Sequence, residues 1–255
     1  MLTLADCVKS VRSQNYGAEH VVIDGQSKDG TLELLQSSGI DKVLSEPDKG
    51  IYDAINKGIA LSSGDIIGLL HSDDLYADEF VLKRVAELFA DPTIDSCYGD
   101  LLYVDRRNTE RIRRYWKSGP FRLDRFYWGW MPPHPTFFVR RAVYERYGAF
   151  NLSLDSAADY ELMLRFLLKH RVTTAYIPSV LIKMRSGGTS NATLRNRLKA
   201  NRMDRKAWVI NGLKPYPWTT YLKPLLKIGQ FVAIPAKPQE EIAKTGHQRT
   251  NFESP

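Results

Sequence analysis

The residues of this 255-residue chain best suited to chemistry are a few widely spaced acids. Asp73 and Asp74 follow the apolar run IIGLL, and Asp24 closes the run HVVID. Carboxylates at such strand ends can hold a hard divalent cation, Mg²⁺ or Mn²⁺, that keeps several waters and bridges to a diphosphate. Asp159 lies in SAADYELML, where a helix should begin, and an ionised carboxylate facing a cleft there can act as a general base. Each acid also has a plain structural explanation, because acids favour turns and helix starts.

Several other chemistries lack their residue patterns. A GxxxxGK phosphate loop is absent, as is a GxGxxG loop after the first strand, which removes the commonest nucleotide-hydrolase and dinucleotide-binding readings. No Cys/His spacing typical of a metal site occurs. Cys7 and Cys97 are too few and too far apart for a disulfide framework, so we interpret them as reduced core thiols. His71 and His134 are lone histidines of the kind that is more often simply hydrogen-bonded.

Composition places the chain among ordinary globular proteins. Hydrophobic residues make up 43% of it and charged residues 25%. It has no apolar run of about 18 residues and no N-terminal apolar stretch like a secretory signal, so we expect a cytoplasmic protein without a membrane span. The net charge of +7 favours anionic partners such as phosphate groups, nucleic acid or an acidic membrane surface, without choosing among them.

Strand-like and helix-like segments alternate through the first hundred residues, which predicts an α/β fold with a mainly parallel central sheet covered by helices. Ligands of such sheets bind beyond the carboxyl ends of the strands, where Asp24 and His71–Asp74 should lie. The basic, aromatic segment 106–135 is predicted to be irregular and to line a cleft. We expect helices in SAADYELMLRFLLKH and from about Leu194, and a poorly ordered polar tail at 237–255.

The order of several motifs resembles glycosyltransferase family 2, inverting enzymes with the GT-A fold. The matching stretches are LADCVKSVRSQNY, EHVVIDGQSKDGT, SEPDKGIYDAINKGIALSSGDIIGLLHSDDLY, HPTFFVRRAVYERYGAFN and DYELMLRF. Each is weak alone, but the ordered set is specific. It is most similar to bacterial enzymes that build O-antigen, capsule or exopolysaccharide units. The resemblance implies a GT-A domain at 1–191, a basic helical extension at 192–236 and a tail at 237–255.

The resemblance also implies a role for individual residues. Asp73 matches the metal ligand of the family, for Mg²⁺ or Mn²⁺, and Asp159 matches the catalytic base. The remaining matched positions would bind the nucleotide-sugar donor: Asp24, Gly25, Ser27, Lys49, Gly50, His71 and Asp74. Among these, Asp24 would contact the nucleobase and Lys49 the diphosphate.

The chain departs from the family pattern at three points. His71 stands where an acid that contacts the ribose is often found, and Ala158 replaces the acid that often precedes the base. Family members also place a strand before the first helix, whereas Met1 falls almost directly at that helix. We therefore expect the GT-A domain to be N-terminally incomplete.

The function implied is transfer of a sugar from a nucleotide-diphospho-sugar, a UDP-sugar being favoured, to a glycan or a polyprenyl-diphosphate-linked saccharide. Trp218, Tyr221, Lys223 and Lys227 would allow the C-terminal segment to rest on the inner face of the cytoplasmic membrane. The alternatives are a non-catalytic nucleotide-sugar-binding homologue and a sugar nucleotidyltransferase. Nucleic-acid binding through RRNTERIRRYW is disfavoured, because a basic loop facing a diphosphate is the simpler interpretation.

Overall fold

Helices and strands alternate along the chain in the computed structural model, which describes residues 2–187, 194–226 and 230. The α-helices of this part are α1 (Leu2–Arg12), α2 (Thr31–Ser37), α3 (Ile51–Leu61), α4 (Val81–Phe89), α5 (Asp124–Tyr127), α6 (Arg141–Tyr147), α7 (Ala158–Met163), α8 (Leu194–Ile210) and α9 (Thr219–Leu226). The strands are β1 (Val21–Asp24), β2 (Lys42–Ser45), β3 (Ile66–Ile67), β4 (Leu75–Tyr76), β5 (Ser96–Val104), β6 (Ile112–Trp116), β7 (Phe138–Arg140) and β8 (Thr174–Arg185). The predicted tail at 237–255 lies outside the described residues.

The strands form two sheets, and the larger one is mixed where we expected mainly parallel pairing. β1 and β2 pair in parallel as a small sheet. The larger sheet has the order β3-β7-β5-β8-β4, with β6 also paired to β5. Its β5–β8 pair is parallel, whereas its other pairs are antiparallel. A hairpin loop after β5, closed by the Asp105 N–H donating to the Arg111 carbonyl over 2.9 Å, imposes one antiparallel pair.

The segment 106–135 is more regular than the sequence predicts, since it contains β6 and α5. The basic composition of β6 conceals a strand because its arginines do not all point to water. The Arg114 guanidinium lies 4.2 Å from the centre of the Tyr103 ring on β5, so this cation packs on the sheet. A strand therefore forms where the sequence predicts an irregular segment.

The central strand β5 is buried along almost its whole length. A Cβ atom on Gly99 would lie 2.5 Å from Leu181 and 2.8 Å from the Ser179 carbonyl oxygen, so only glycine lets β8 approach this closely. The Thr136 hydroxyl donates to the Gly99 carbonyl over 3.1 Å. This bond fixes the short 3-10 helix His134–Thr136 against the sheet and thereby positions His134.

A groove of about 470 Å³ separates the two sheets. Its walls include β1 on one side and β3 on the other, and α1 and α4 contribute Leu4 and Val85 to its apolar lining. No strand pairing joins the two sheets within the described residues. Leu4, Val8 and Leu35 form a small core of their own beside β1 and β2. The expectation that the domain is N-terminally incomplete stays a prediction.

Candidate active site

Asp24 ends β1 and lies almost fully buried, with 5% of its surface exposed. Its Oδ2 accepts hydrogen bonds from the Ser45 hydroxyl over 2.6 Å and from the Ser27 N–H over 3.1 Å. Burial raises the pKa of this carboxyl, but the hydrogen bonds from Ser27 and Ser45 outweigh it and leave the pKa below its ordinary value. Asp24 is therefore an ionised acceptor held in one orientation at the end of the small sheet.

The loop before α3 lies against the end of β1. The Gly50 N–H donates to Asp48 Oδ1 over 2.8 Å, and the Lys49 N–H donates to Asp53 Oδ2 over 2.9 Å. Gly50 has φ 113°, a region that favours glycine. A Cβ atom on Gly25 would lie 2.5 Å from Asp48 Oδ2, so the absence of a side chain lets these two loops meet. The Lys49 side chain remains exposed beside them.

Arg185, at the end of β8, fastens the loop that carries Asp73 and Asp74. The Arg185 guanidinium donates to the Asp73 carbonyl over 2.9 Å and pairs with the Asp6 carboxylate over 2.5 Å. The Arg185 backbone N–H donates to Asp74 Oδ1 over 3.3 Å. Asp74 is buried, and its Oδ2 has no hydrogen-bond partner in the described part of the chain. Burial, followed by the neighbouring Asp73 charge, raises the pKa of Asp74 to about 7.

Two histidines connect this loop to Asp159 at the start of α7. The His71 and His134 rings meet edge to face with their centres 5.7 Å apart. His134 Nδ1 lies 3.1 Å from Asp159 Oδ2, and Asp159 Oδ1 accepts the Tyr160 N–H over 2.8 Å. Burial, followed by the His134 charge, lowers the pKa of His71 to about 4, although Asp73 and Asp159 oppose this. The charges of Asp73 and Asp159 therefore both raise the pKa of the same histidine, which opposes the effect of burial.

The donor atoms around Asp73 suit a hard divalent cation that shares its ligands with a substrate. Asp73 is half-buried, and Asp74 adds a carboxylate oxygen without a partner among the described residues. No group of three or more His, Cys, Asp or Glu that could hold a metal ion occurs in the described ranges. Mg²⁺ commonly binds through one or two carboxylates together with waters and phosphate oxygens, so this pair fits such an ion when a diphosphate completes the ligand set.

The structure brings His71, Asp73, Asp74 and Asp159 together in one group. The predicted donor-binding residues on the small sheet form a second group, and no hydrogen bond or ion pair between described residues joins the two. Sequence reasoning gave no role to His134 or Arg185. The available signal for His134 was its place in HPTFFVRR, directly before β7. The sequence contains no comparable signal for Arg185.

Curated relatives of the chain are bacterial glycosyltransferases. An uncharacterized glycosyltransferase of Mycobacterium tuberculosis is 36% identical over 168 residues, which are 63% of this chain and 62% of the relative. A PGL/p-HBAD biosynthesis glycosyltransferase of Mycobacterium bovis is 29% identical over 196 residues, 74% of each chain. The chain thus spans less than two thirds of the first of these relatives.

Solved structures with a similar fold are also glycosyltransferases. Residues 1–349 of Staphylococcus aureus TarS, in complex with UDP-GlcNAc, superpose with a TM-score of 0.65 and 16% identity, over 86% of this chain and 65% of that TarS chain. The mannosyltransferase PcManGT of Pyrobaculum calidifontis, in complex with GDP-Man and Mn²⁺, gives 0.59 and 15%, over 95% and 74%. The predicted GT-A fold is confirmed.

A match to a protein-family model agrees with the motif order, the GT-A architecture and the acids at the strand ends. The model of the family described as glycosyl transferase family 2 matches residues 2–148, more than half of the chain and including Asp24, Asp73 and His134. This chain belongs to glycosyl transferase family 2.

Proposed function

We propose that the protein is an inverting glycosyltransferase. It moves a sugar from a nucleotide-diphospho-sugar to a hydroxyl group of a glycan or lipid-linked saccharide in the biosynthesis of a cell-surface polysaccharide such as O-antigen or exopolysaccharide. One observation carries this proposal: the His71 and His134 rings, with centres 5.7 Å apart, link the Asp73–Asp74 loop to Asp159, which lies 3.1 Å from His134. A base for the acceptor and a cation-binding loop for the donor would then lie close together.

The donor is favoured to be a UDP-sugar. Structural neighbours of the chain hold UDP-GlcNAc and GDP-Man, which supports a nucleotide-sugar in this fold. The ionised Asp24 carboxylate would accept a hydrogen bond from the nucleobase, with Gly25 and Ser27 beside it. Lys49 and Gly50 would approach the diphosphate, where the cationic Lys49 side chain offsets its charge.

Asp73 would hold the divalent cation, and Asp74 and His71 would support the donor next to it. A structural neighbour carries Mn²⁺, which supports Mg²⁺ or Mn²⁺ in this role. The bound ion would supply Lewis-acid stabilisation of the charge that gathers on the leaving diphosphate. Arg185 keeps the Asp73 backbone in place through its bond to the Asp73 carbonyl.

Asp159 would remove the proton from the acceptor hydroxyl as that oxygen bonds to the anomeric carbon. The bond from the same carbon to the diphosphate oxygen breaks on the opposite face, so the configuration inverts. His134, whose Nδ1 lies 3.1 Å from Asp159 Oδ2, would orient the carboxylate for this step. A single base on the acceptor side suffices, because the leaving diphosphate needs no protonation.

The acceptor is favoured to be a saccharide on a polyprenyl diphosphate, reached from the inner face of the cytoplasmic membrane. The relation to a PGL/p-HBAD biosynthesis glycosyltransferase supports a role in glycan biosynthesis, of which such an acceptor would be one part. Among the described helices, none combines the length and apolar character needed to cross a bilayer. The GT-A domain at 1–191 would perform the chemistry, and the extension at 192–236 would face the membrane.

The test combines calorimetric titration of UDP, with Mn²⁺ and then with EDTA, and a transfer assay with UDP-sugars. We expect Asp73→Asn to abolish metal-dependent UDP binding. Asp159→Asn should retain binding and lose roughly 100-fold or more in transfer rate, the range of general base catalysis. Asp65→Asn, an exposed acid on the loop before β3, is the matched control and should change neither.

Retained transfer by Asp159→Asn would refute the assignment of the base. If the protein binds UDP but transfers no sugar to any acceptor fraction, the non-catalytic homologue is the correct interpretation. If UDP, dTDP and GDP all fail to bind with either metal, the proposed donor site is wrong.

A further inference from the structure

Exposed apolar side chains concentrate where Trp128, the end of α8 and residues 216–221 meet around Tyr127 and Trp208. Eleven large apolar side chains are well exposed among the described residues, and six of them belong to these segments. These six residues, which we call the aromatic patch, are Trp128, Val209, Ile210, Tyr216, Trp218 and Tyr221. Val209 is 68% exposed and Tyr221 is 63% exposed, so these side chains lie on the surface and are not part of the hydrophobic core.

Three rings of the patch, those of Trp128, Tyr216 and Trp218, contact one another and are anchored in the domain. Trp218 lies 5.2 Å from Tyr216 and 6.1 Å from Trp128, measured between ring centres. Behind them the Tyr127 ring contacts Tyr216 and the fully buried Trp208 in tilted arrangements, with ring centres 5.2 Å and 5.0 Å apart. The patch is therefore a fixed feature of the fold.

Cations lie beside the α8 end of the aromatic patch. Helix α8 contains six Lys or Arg and one acid. Arg202, Arg205 and Lys206 are exposed, and they lie on the same helical face as Val209, at spacings of seven, four and three residues. Exposed Lys214 lies between α8 and Tyr216. An apolar, aromatic surface bordered by cations complements an anionic bilayer, where Trp and Tyr sit at the headgroup level.

We propose that the aromatic patch docks on the surface of an anionic lipid bilayer. The rings and the two aliphatic side chains enter the interface, and the exposed cations Arg202, Arg205 and Lys206 face the lipid phosphates. The proposal rests on the proposed function in one respect: docking would bring the active site to an acceptor held in the membrane. A soluble glycan is a poorer occupant, because exposed Val209 and Ile210 give a sugar hydroxyl nothing to bond.

The test is co-sedimentation of the full chain with vesicles of phosphatidylcholine alone or mixed with phosphatidylglycerol. We expect binding to the anionic vesicles that weakens as salt rises, since the cations are screened. Trp128→Ala combined with Trp218→Ala should weaken binding by roughly tenfold or more. The matched control combines Tyr16→Ala with Phe80→Ala, two exposed aromatic residues outside the patch, and should bind like the unmodified protein.

Equal binding of the Trp128/Trp218 variant and the unmodified protein would overturn the proposal, and so would absence of binding to anionic vesicles. Retention of the unmodified protein, but not the variant, on a soluble polysaccharide without vesicle binding would replace the bilayer with a glycan. UDP titration of the same variant separates this inference from the proposed function, because the patch residues lie outside the proposed donor site. Vesicle binding without UDP binding would refute only the proposed function.

Discussion

Asp74 and Asp24 should affect stability in different pH ranges, although both are buried acids of the candidate site. The pKa of Asp74 rises from 3.8 to about 7 in the folded protein, a shift of about three units. Each unit corresponds to about 1.4 kcal/mol, so the cost of ionising Asp74 in the fold is on the order of 4 kcal/mol. Between about pH 4 and pH 7 the folded state holds a proton that the unfolded state has released, so stability falls as pH rises.

Asp74→Asn removes this titration while keeping an oxygen for the Arg185 N–H. We expect the free energy of unfolding of the variant, relative to the unmodified protein, to increase by up to about 4 kcal/mol between pH 4 and pH 7.5 in EDTA. Urea unfolding at several pH values measures this difference. Added Mn²⁺ should narrow it at pH 7.5, because a cation beside Asp73 favours the ionised form of Asp74.

Asp24→Asn is the control for sign. The pKa of Asp24 lies below its ordinary value, so its stabilising contribution is fully present above about pH 4 and is lost only as pH falls below that. This variant should therefore be less stable by a constant amount between pH 4.5 and pH 7.5. Parallel stability curves for Asp74→Asn and the unmodified protein would refute the electrostatic reasoning about the loop.

Three further outcomes follow from the packing. His134→Ala should slow sugar transfer roughly tenfold without changing UDP affinity, because it removes the imidazole whose Nδ1 lies 3.1 Å from the Asp159 carboxylate. A further loss of rate when His134→Ala is added to Asp159→Asn would contradict a shared role of the two residues. Gly99→Ala should lower the free energy of unfolding by about 1–3 kcal/mol, because the added methyl group would overpack β5 against β8. Gly17→Ala is the control, since a Cβ atom there would have nothing within 4 Å, and it should change the free energy of unfolding by less than about 0.5 kcal/mol. Equal effects of the two substitutions would contradict the close approach of β8 to Gly99. Cys7 and Cys97 should not react with Ellman's reagent until urea is added, since both thiols are buried and burial raises the pKa of Cys97 and raises that of Cys7 to about 12. Labelling of the native protein would show instead that the thiols are accessible.

The α/β elements of the first hundred residues could be predicted because each carries a clear local period. Helix α4, for example, buries Val81, Val85 and Phe89 at helical spacing. The mixed pairing could not be predicted in the same way, because β3 and β4 are two residues long and β6 is rich in arginine. Pairing direction depends on contacts between distant segments, and these leave no period in the sequence.

The candidate site divides along the same line. The sequence suggests Asp73 and Asp159 as site residues because each lies in a motif with a fixed local setting. The contact between His134 and Asp159 spans 25 residues and depends on Thr136 holding the 3-10 helix on β5. Arg185 reaches Asp6 and Asp73 from the far end of β8. Such partners are specified by the fold as a whole, so a single sequence shows the acids but not the groups that orient them.

The groove between the two sheets has a consequence for the energetics of donor binding. Asp24 and Ser45 belong to a two-stranded sheet with a small core, and such a unit is marginally stable by itself. We therefore expect amide protons of β1 and β2 to exchange faster than those of β5 and β8. A nucleotide that contacts Asp24 would spend part of its binding free energy on suppressing these local openings. Its measured affinity then reports the order of the small sheet as well as the quality of the contacts.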